Sequence, residues 1–102
     1  MKIELAKTEN IHFVGIGGIG MSGLALIMKG MGFRIQGSDI SANKNIERLK
    51  KNKIKTSIGH SKKNILKATI LVISSAIKNN NPELAYARKK QLPIYKRGEM
   101  LA

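Results

Sequence analysis

The sequence predicts one doubly wound α/β domain, a parallel sheet of about five strands in the order 3-2-1-4-5 with helices on both faces. Three observations lead there. Short runs rich in Ile, Val and Leu alternate with segments whose apolar residues recur at helical spacing, the βαβ rhythm of a parallel sheet. Gly15, Gly17 and Gly20 follow the first apolar run directly and precede the first helical pattern, the arrangement of Rossmann-like nucleotide-binding units. A length of 102 residues suits one small core, burying roughly 65% of the unfolded chain's surface, and is too short for a multidomain enzyme. Right-handed crossovers then give the strand order.

Residues 10–14 read as the first strand and residues 21–31 as the first helix, with Leu24, Ile27, Met28 and Met31 at helical spacing and Gly32 as its stop. A second strand over 33–37 ends at Ser38 and Asp39. Asn43 is placed to cap a helix over 44–51 whose inward residues are Ile46 and Leu49. Residues 53–58 alternate, with Ile54, Thr56 and Ile58 on one face, as a less buried third strand does. Residues 61–67 hold at most a short helical turn, and 68–73 form the most continuously apolar strand, suited to the middle of the sheet. Asn81 and Pro82 give a cap and first turn for a helix reaching about residue 90, with Glu83 near its positive end. A short fifth strand spans 92–95, and 99–102 begins another apolar element. That abrupt end suggests a domain cut from a longer protein.

The formal charge is +13, carried by 15 Lys and only 4 Arg beside 15 Ile and 8 Asn. Such a charge attracts polyanions and phosphorylated molecules. The four aromatic residues, Phe13, Phe33, Tyr86 and Tyr95, are not interleaved with basic ones to make a stacking platform, so no specific nucleic-acid role is expected. No apolar run approaches the ~20 residues of a membrane span, and the start lacks the apolar stretch of a secretory signal. The absence of cysteine removes disulfides and thiolate metal sites and fits a cytoplasmic protein.

The chemistry concentrates at the glycine turn. Gly15 allows the tight turn, Gly17 removes a Cβ that would obstruct a diphosphate, and Gly20 lets the helix approach the sheet. Free N–H groups at the helix start then face phosphate. Gly18 widens that access. Gly23 costs about 1 kcal/mol of helix propensity against alanine, which implies close packing or ligand approach. Asp39, 19 residues beyond Gly20, is placed to accept from a ribose hydroxyl or a base edge, with Ser38 beside it. Loops after strands 1 to 4 share one sheet edge, which brings His60 and Ser74, Ser75 and Ala76 toward the turn. His60 is a candidate donor to a phosphate or sugar oxygen, or a loop-pinning residue. Ser74 and Ser75 offer hydroxyl and amide donors, or cap a turn. His12, inside the first strand, reads as a core or sheet-surface residue, and Lys78 as one cation among many. An ATP loop of the Gly-x-x-x-x-Gly-Lys-Ser/Thr type, paired carboxylates and an activated nucleophile are all missing from the sequence, so no catalytic residue or metal site is assigned. A stand-alone NAD(P)-binding domain of an oxidoreductase or regulatory protein shares the turn and Asp39, and stays open at this point.

The run from His12 to Ala25, with Gly15-Ile16-Gly17-Gly18-Ile19-Gly20-Met21-Ser22-Gly23 at its centre, closely resembles the opening of the Mur ligase family. Gly37-Ser38-Asp39, Gly59-His60, Ser74-Ser75-Ala76-Ile77, Asn81-Pro82-Glu83-Leu84 and Arg97-Gly98-Glu99-Met100-Leu101 extend the likeness over nearly the whole chain. Gly98 departs from the family's usual alanine. The resemblance implies the N-terminal of three domains, the one that binds the UDP part of UDP-N-acetylmuramate, with the central ATP-binding and C-terminal domains outside this chain. It implies a peptidoglycan-building reaction in which ATP, with Mg2+, activates the lactyl carboxylate and L-alanine attacks the acyl phosphate. By the same likeness Gly17, Gly18, Ile19 and Gly20 meet the diphosphate and Asp39 the uridine, while His60, Ser74, Ser75 and Ala76 complete the crevice. Neither ATP nor Mg2+ is expected on this domain itself.

Overall fold

The computed structural model describes residues 5–100. Five parallel strands, β1 (Asn10–Val14), β2 (Arg34–Asp39), β3 (Lys55–Ile58), β4 (Ile70–Ile73) and β5 (Ile94–Lys96), make one sheet in the order β3-β2-β1-β4-β5. The expected order is therefore the observed one. Helices α1 (Ile19–Gly30), α2 (Lys44–Lys51), α3 (Pro82–Lys89) and the single turn α4 (Arg97–Met100) surround it, with a 3₁₀ turn over Lys62–Ile65.

Strand alternation sorts the core into two layers. Ile11, Phe13, Ile35, Ile70 and Val72 pack with Met21, Leu24, Ala25 and Met28 of α1 and with Ile46 and Leu49 of α2. Val14, Leu71 and Ile73 face the other way, against Leu84 and Ala87 of α3 and Ile65. β4 is buried at every residue, as its central place between two covered faces requires. His12 shares the α3-facing side of the sheet and is also buried, which decides between the core and sheet-surface positions in favour of the core.

Local chemistry sets the ends. The extended Gly18 precedes α1, which starts at Ile19, two residues before the expected onset. After α1, Gly32 adopts φ +97, a left-handed stop. Asn43 Oδ1 accepts from Ile46 N–H at 2.9 Å and Asn81 Oδ1 from Glu83 N–H at 2.9 Å, so both expected caps form. β3 begins only at Lys55, because Lys53 turns the chain at φ 63. The apolar element expected over 99–102 is α4, beginning at Arg97; residues 101 and 102 lie outside the described part. Among the described residues no helix is long and apolar enough to cross a membrane.

Candidate functional site

The ends of β1, β2 and β4 and the loop after β3 open together at the carboxyl edge of the sheet. They border a cleft of about 510 Å³, a volume within the usual range of small-ligand sites. Gly15, Gly18, Asp39, His60, Ser74 and Ala76 line it, so six of the residues singled out from the sequence converge there. Lys78 lines it too, with Ile40, Ile77, Asn80, Asn81 and Pro82. Ile40 is 75% exposed, an apolar side chain free to cover the face of a planar ligand. A long apolar residue directly after a strand-end Asp was the signal available for it.

The glycine turn is built differently from its expected role. Gly15 takes φ +85, a conformation that disfavours any side chain. Its N–H and that of Ile16 both donate to the Ser38 carbonyl, at 2.8 and 3.0 Å. Gly17 N–H donates to Asp39 Oδ2 at 2.8 Å, while the Gly17 carbonyl accepts from the Asn43 and Asn45 amides at 3.3 and 2.8 Å. Gly18 N–H closes the turn onto the Gly15 carbonyl. The turn's own amides are thus committed internally. The first intrahelical bond runs from Ser22 N–H to the Gly18 carbonyl, and Gly18 provides no side-chain cap. This leaves the N–H groups of Ile19, Gly20 and Met21 as the helix's open donors, where the helix field favours an anion.

Other expectations need correcting. A Cβ on Gly17 would lie 2.8 Å from Asp39 Oδ2, so its first function is to admit that carboxylate. A Cβ on Gly20 would meet the Arg97 side chain at 2.8 Å; the nearest approach there is by α4, and it brings a guanidinium beside the start of α1. At Gly23 nothing among the described residues comes within 4 Å of a Cβ, so the close packing expected there is not made by any of them. Ser38 is fully buried rather than in the cleft, and Ser75 borders a separate depression with Asn79, Arg88 and Lys96.

The feature missed from the sequence lies beneath the cleft floor. Glu83, completely buried, accepts at Oε1 from His12 Nε2–H (2.7 Å) and the Ser38 hydroxyl (2.6 Å). At Oε2 it accepts from Ser61 N–H (3.1 Å) and the Asn64 amide (2.7 Å). Burial pushes the carboxyl upward, but the hydrogen bonds from His12, Ser38 and Asn64 outweigh it and hold Glu83 down at about 2. His12, a buried polar residue, needs partners, but its register partner Gln36 and the distant Glu83 become evident only once the sheet and α3 are packed. Among the described residues no cluster of three or more His, Asp or Glu could hold a metal ion.

The profile of the Mur ligase family, catalytic domain, matches residues 10–102. The chain is 82% identical over all 102 residues to the UDP-N-acetylmuramate–L-alanine ligase of Pelagibacter ubique, of which it spans 22%. The crystal structure of the UDP-N-acetylmuramate–alanine ligase of Thermotoga maritima superposes with a TM-score of 0.87 at 36% identity, over 90% of this chain and 21% of that one. The UDP-N-acetylmuramate:L-alanyl-γ-D-glutamyl-meso-diaminopimelate ligase of Neisseria meningitides gives 0.85 at 28% identity, over 91% and 30%. The chain therefore spans between about a fifth and a third of the proteins it matches.

Proposed function

The chain belongs to the Mur ligase family, and from that premise we propose that it is the UDP-binding domain of an ATP-dependent ligase joining L-alanine to UDP-N-acetylmuramate. The observation that carries the reading is the cleft, with its floor of glycine backbone and the open start of α1 beside it. The diphosphate lies across the N–H groups of Ile19, Gly20 and Met21, with Arg97 alongside and Lys78 lowering the cost of its charge. The nucleoside runs over Asp39, Ile40 and His60, with the base against the exposed Ile40 side chain.

In the reaction of the longer protein, a lactyl carboxylate oxygen takes the γ-phosphoryl group of ATP and ADP leaves. The alanine amine then attacks the acyl carbon, expels phosphate and loses a proton. Mg2+, when bound in the longer protein, would screen the phosphates, and no residue of this chain is assigned to hold it. None of these steps is assigned to a residue of this chain, whose work is to hold one end of the substrate. A reaction that uses ATP and a nucleotide sugar fits a cytoplasmic protein.

The nicotinamide alternative is disfavoured by the family match. Asp39 does not separate the two ligands: its oxygens already accept from backbone N–H groups, Oδ2 from Gly17 and Oδ1 from Ile40, and both ligands carry a ribose. Calorimetric titration of the chain with UDP-N-acetylmuramate, UDP, NAD and NADP tests the choice. The two uridine ligands should bind in preference. Selective binding of NAD or NADP would overturn the proposal.

A further inference from the structure

His60 reaches the cleft at the end of a chain of hydrogen bonds whose donors and acceptors can be assigned one from the next. The chain starts at Asn64, whose amide nitrogen donates to the Gly59 carbonyl (3.0 Å) and to Glu83 Oε2 (2.7 Å). The Asn64 carbonyl accepts from Gln36 Nε2 at 2.8 Å, which orients the Gln36 amide so that the same nitrogen donates to His12 Nδ1 at 2.8 Å. His12 Nδ1 is then an acceptor, and His12 carries its proton on Nε2, where Glu83 Oε1 accepts it. With Ser61 N–H and the Asn64 amide on its other oxygen, Glu83 faces donors on every side and has no place for a proton of its own. The single hydroxyl hydrogen of Ser38 must therefore point at Glu83 Oε1, 2.6 Å away. What Ser38 offers His60 Nδ1, at 2.9 Å, is a lone pair. His60 Nδ1 must bring the proton, and Glu83 Oε2, 3.5 Å from it, favours that N–H.

We infer that Glu83, acting through Ser38, fixes His60 as its Nδ1–H tautomer, so that the cleft meets a bare Nε2 that accepts a hydrogen bond from a hydroxyl or imide N–H of the ligand instead of donating to its phosphate. His60 Nε2 has no protein partner among the described residues. Thr56 Oγ1 is the one buried side-chain polar atom there without one, so Nε2 is open to the cleft that His60 lines. Glu83 and Ser38 are positioning residues in this scheme, and His60 is a specificity residue for the nucleoside.

The ligand half of the inference rests on the UDP reading; the tautomer half does not. Long-range 1H–15N spectra of the ligand-free chain, labelled with 15N-histidine at pH 7.5, should show His60 protonated at Nδ1 alone and His12 at Nε2 alone. Ser38→Ala should release His60 toward its Nε2–H form. Titration with UDP, 3-methyl-UDP and 2′- and 3′-deoxy-UDP should find one analogue binding roughly 3- to 10-fold more weakly, the size of one neutral hydrogen bond. That analogue identifies the donor as imide or hydroxyl, and its deficit should shrink in Ser38→Ala. His60 protonated at Nε2, alone or with Nδ1, would overturn the inference, as would equal binding of all four nucleotides. Failure of every nucleotide to bind would overturn both the UDP reading and the ligand half, leaving the spectra to decide the tautomer.

Discussion

Acid should unfold this domain chiefly through one carboxyl. Glu83 is held at about 2 against an ordinary 4.5, because the folded state supplies donors to both oxygens that the unfolded chain replaces with water. A carboxyl with a lowered folded pKa contributes its stability in full above the ordinary value. It surrenders that stability as pH falls from about 4.5 through about 2. At 1.36 kcal/mol per pH unit the difference is worth up to about 3 kcal/mol, a large part of the 5–15 kcal/mol expected for a domain. Urea unfolding at fixed ionic strength, followed by circular dichroism from pH 7 to pH 2, gives the profile. Glu83→Gln should lower stability at pH 7 by about 2–4 kcal/mol, since its amide nitrogen turns a donor toward donors. Between pH 5 and pH 2 the native chain should lose up to about 3 kcal/mol more than the variant. Parallel profiles would refute the reasoning, because the acid sensitivity would then belong to other carboxyls.

Three substitutions probe the glycines separately. Gly37→Ala places a Cβ 2.5 Å from Ile16 Cδ1 and 2.7 Å from the Phe13 carbonyl; it should cost about 3 kcal/mol in denaturant unfolding, since backbone cannot yield as a side-chain tip does. Gly17→Ala should push the Asp39 carboxylate off the turn, lowering UDP affinity roughly tenfold or more by calorimetry while the circular dichroism spectrum stays folded. Gly23→Ala should raise stability by about 0.5–1 kcal/mol in the same urea assay, because the site is helical and open; a loss would mean that the helix is closely covered there.

The fold was legible because its signals are local. Strand runs, Asn caps and glycine stops act within a few residues, and crossover handedness then leaves one economical order for the sheet. Even the place of the cleft followed, at the carboxyl edge where ligands of open α/β sheets gather. The buried network was not legible, because Glu83 is 71 positions from His12 and 45 from Ser38. In sequence Glu83 has a sufficient local explanation as an acidic residue in the first turn of a helix. Only the packing of α3 on the sheet turns that carboxylate inward. Ser38 misled for a related reason: beside Asp39 it reads as a second ligand contact, yet strand alternation sends its side chain to the opposite face, into the network.

The same distinction changes what the glycine motif means. Its spacing is usually taken to predict amides that grip a diphosphate, yet here the N–H groups of Gly15, Ile16, Gly17 and Gly18 are all bonded within the protein. A turn whose donors are already satisfied does not rearrange when a ligand arrives, and so adds little ordering cost to binding. The open donors begin at Ile19, one residue beyond the turn, with their direction set by α1. The motif therefore acts as a rigid bracket for the helix start, and Asp39 belongs to that bracket. Any change that loosens Asp39 from Gly17 should weaken phosphate binding without removing a single phosphate contact.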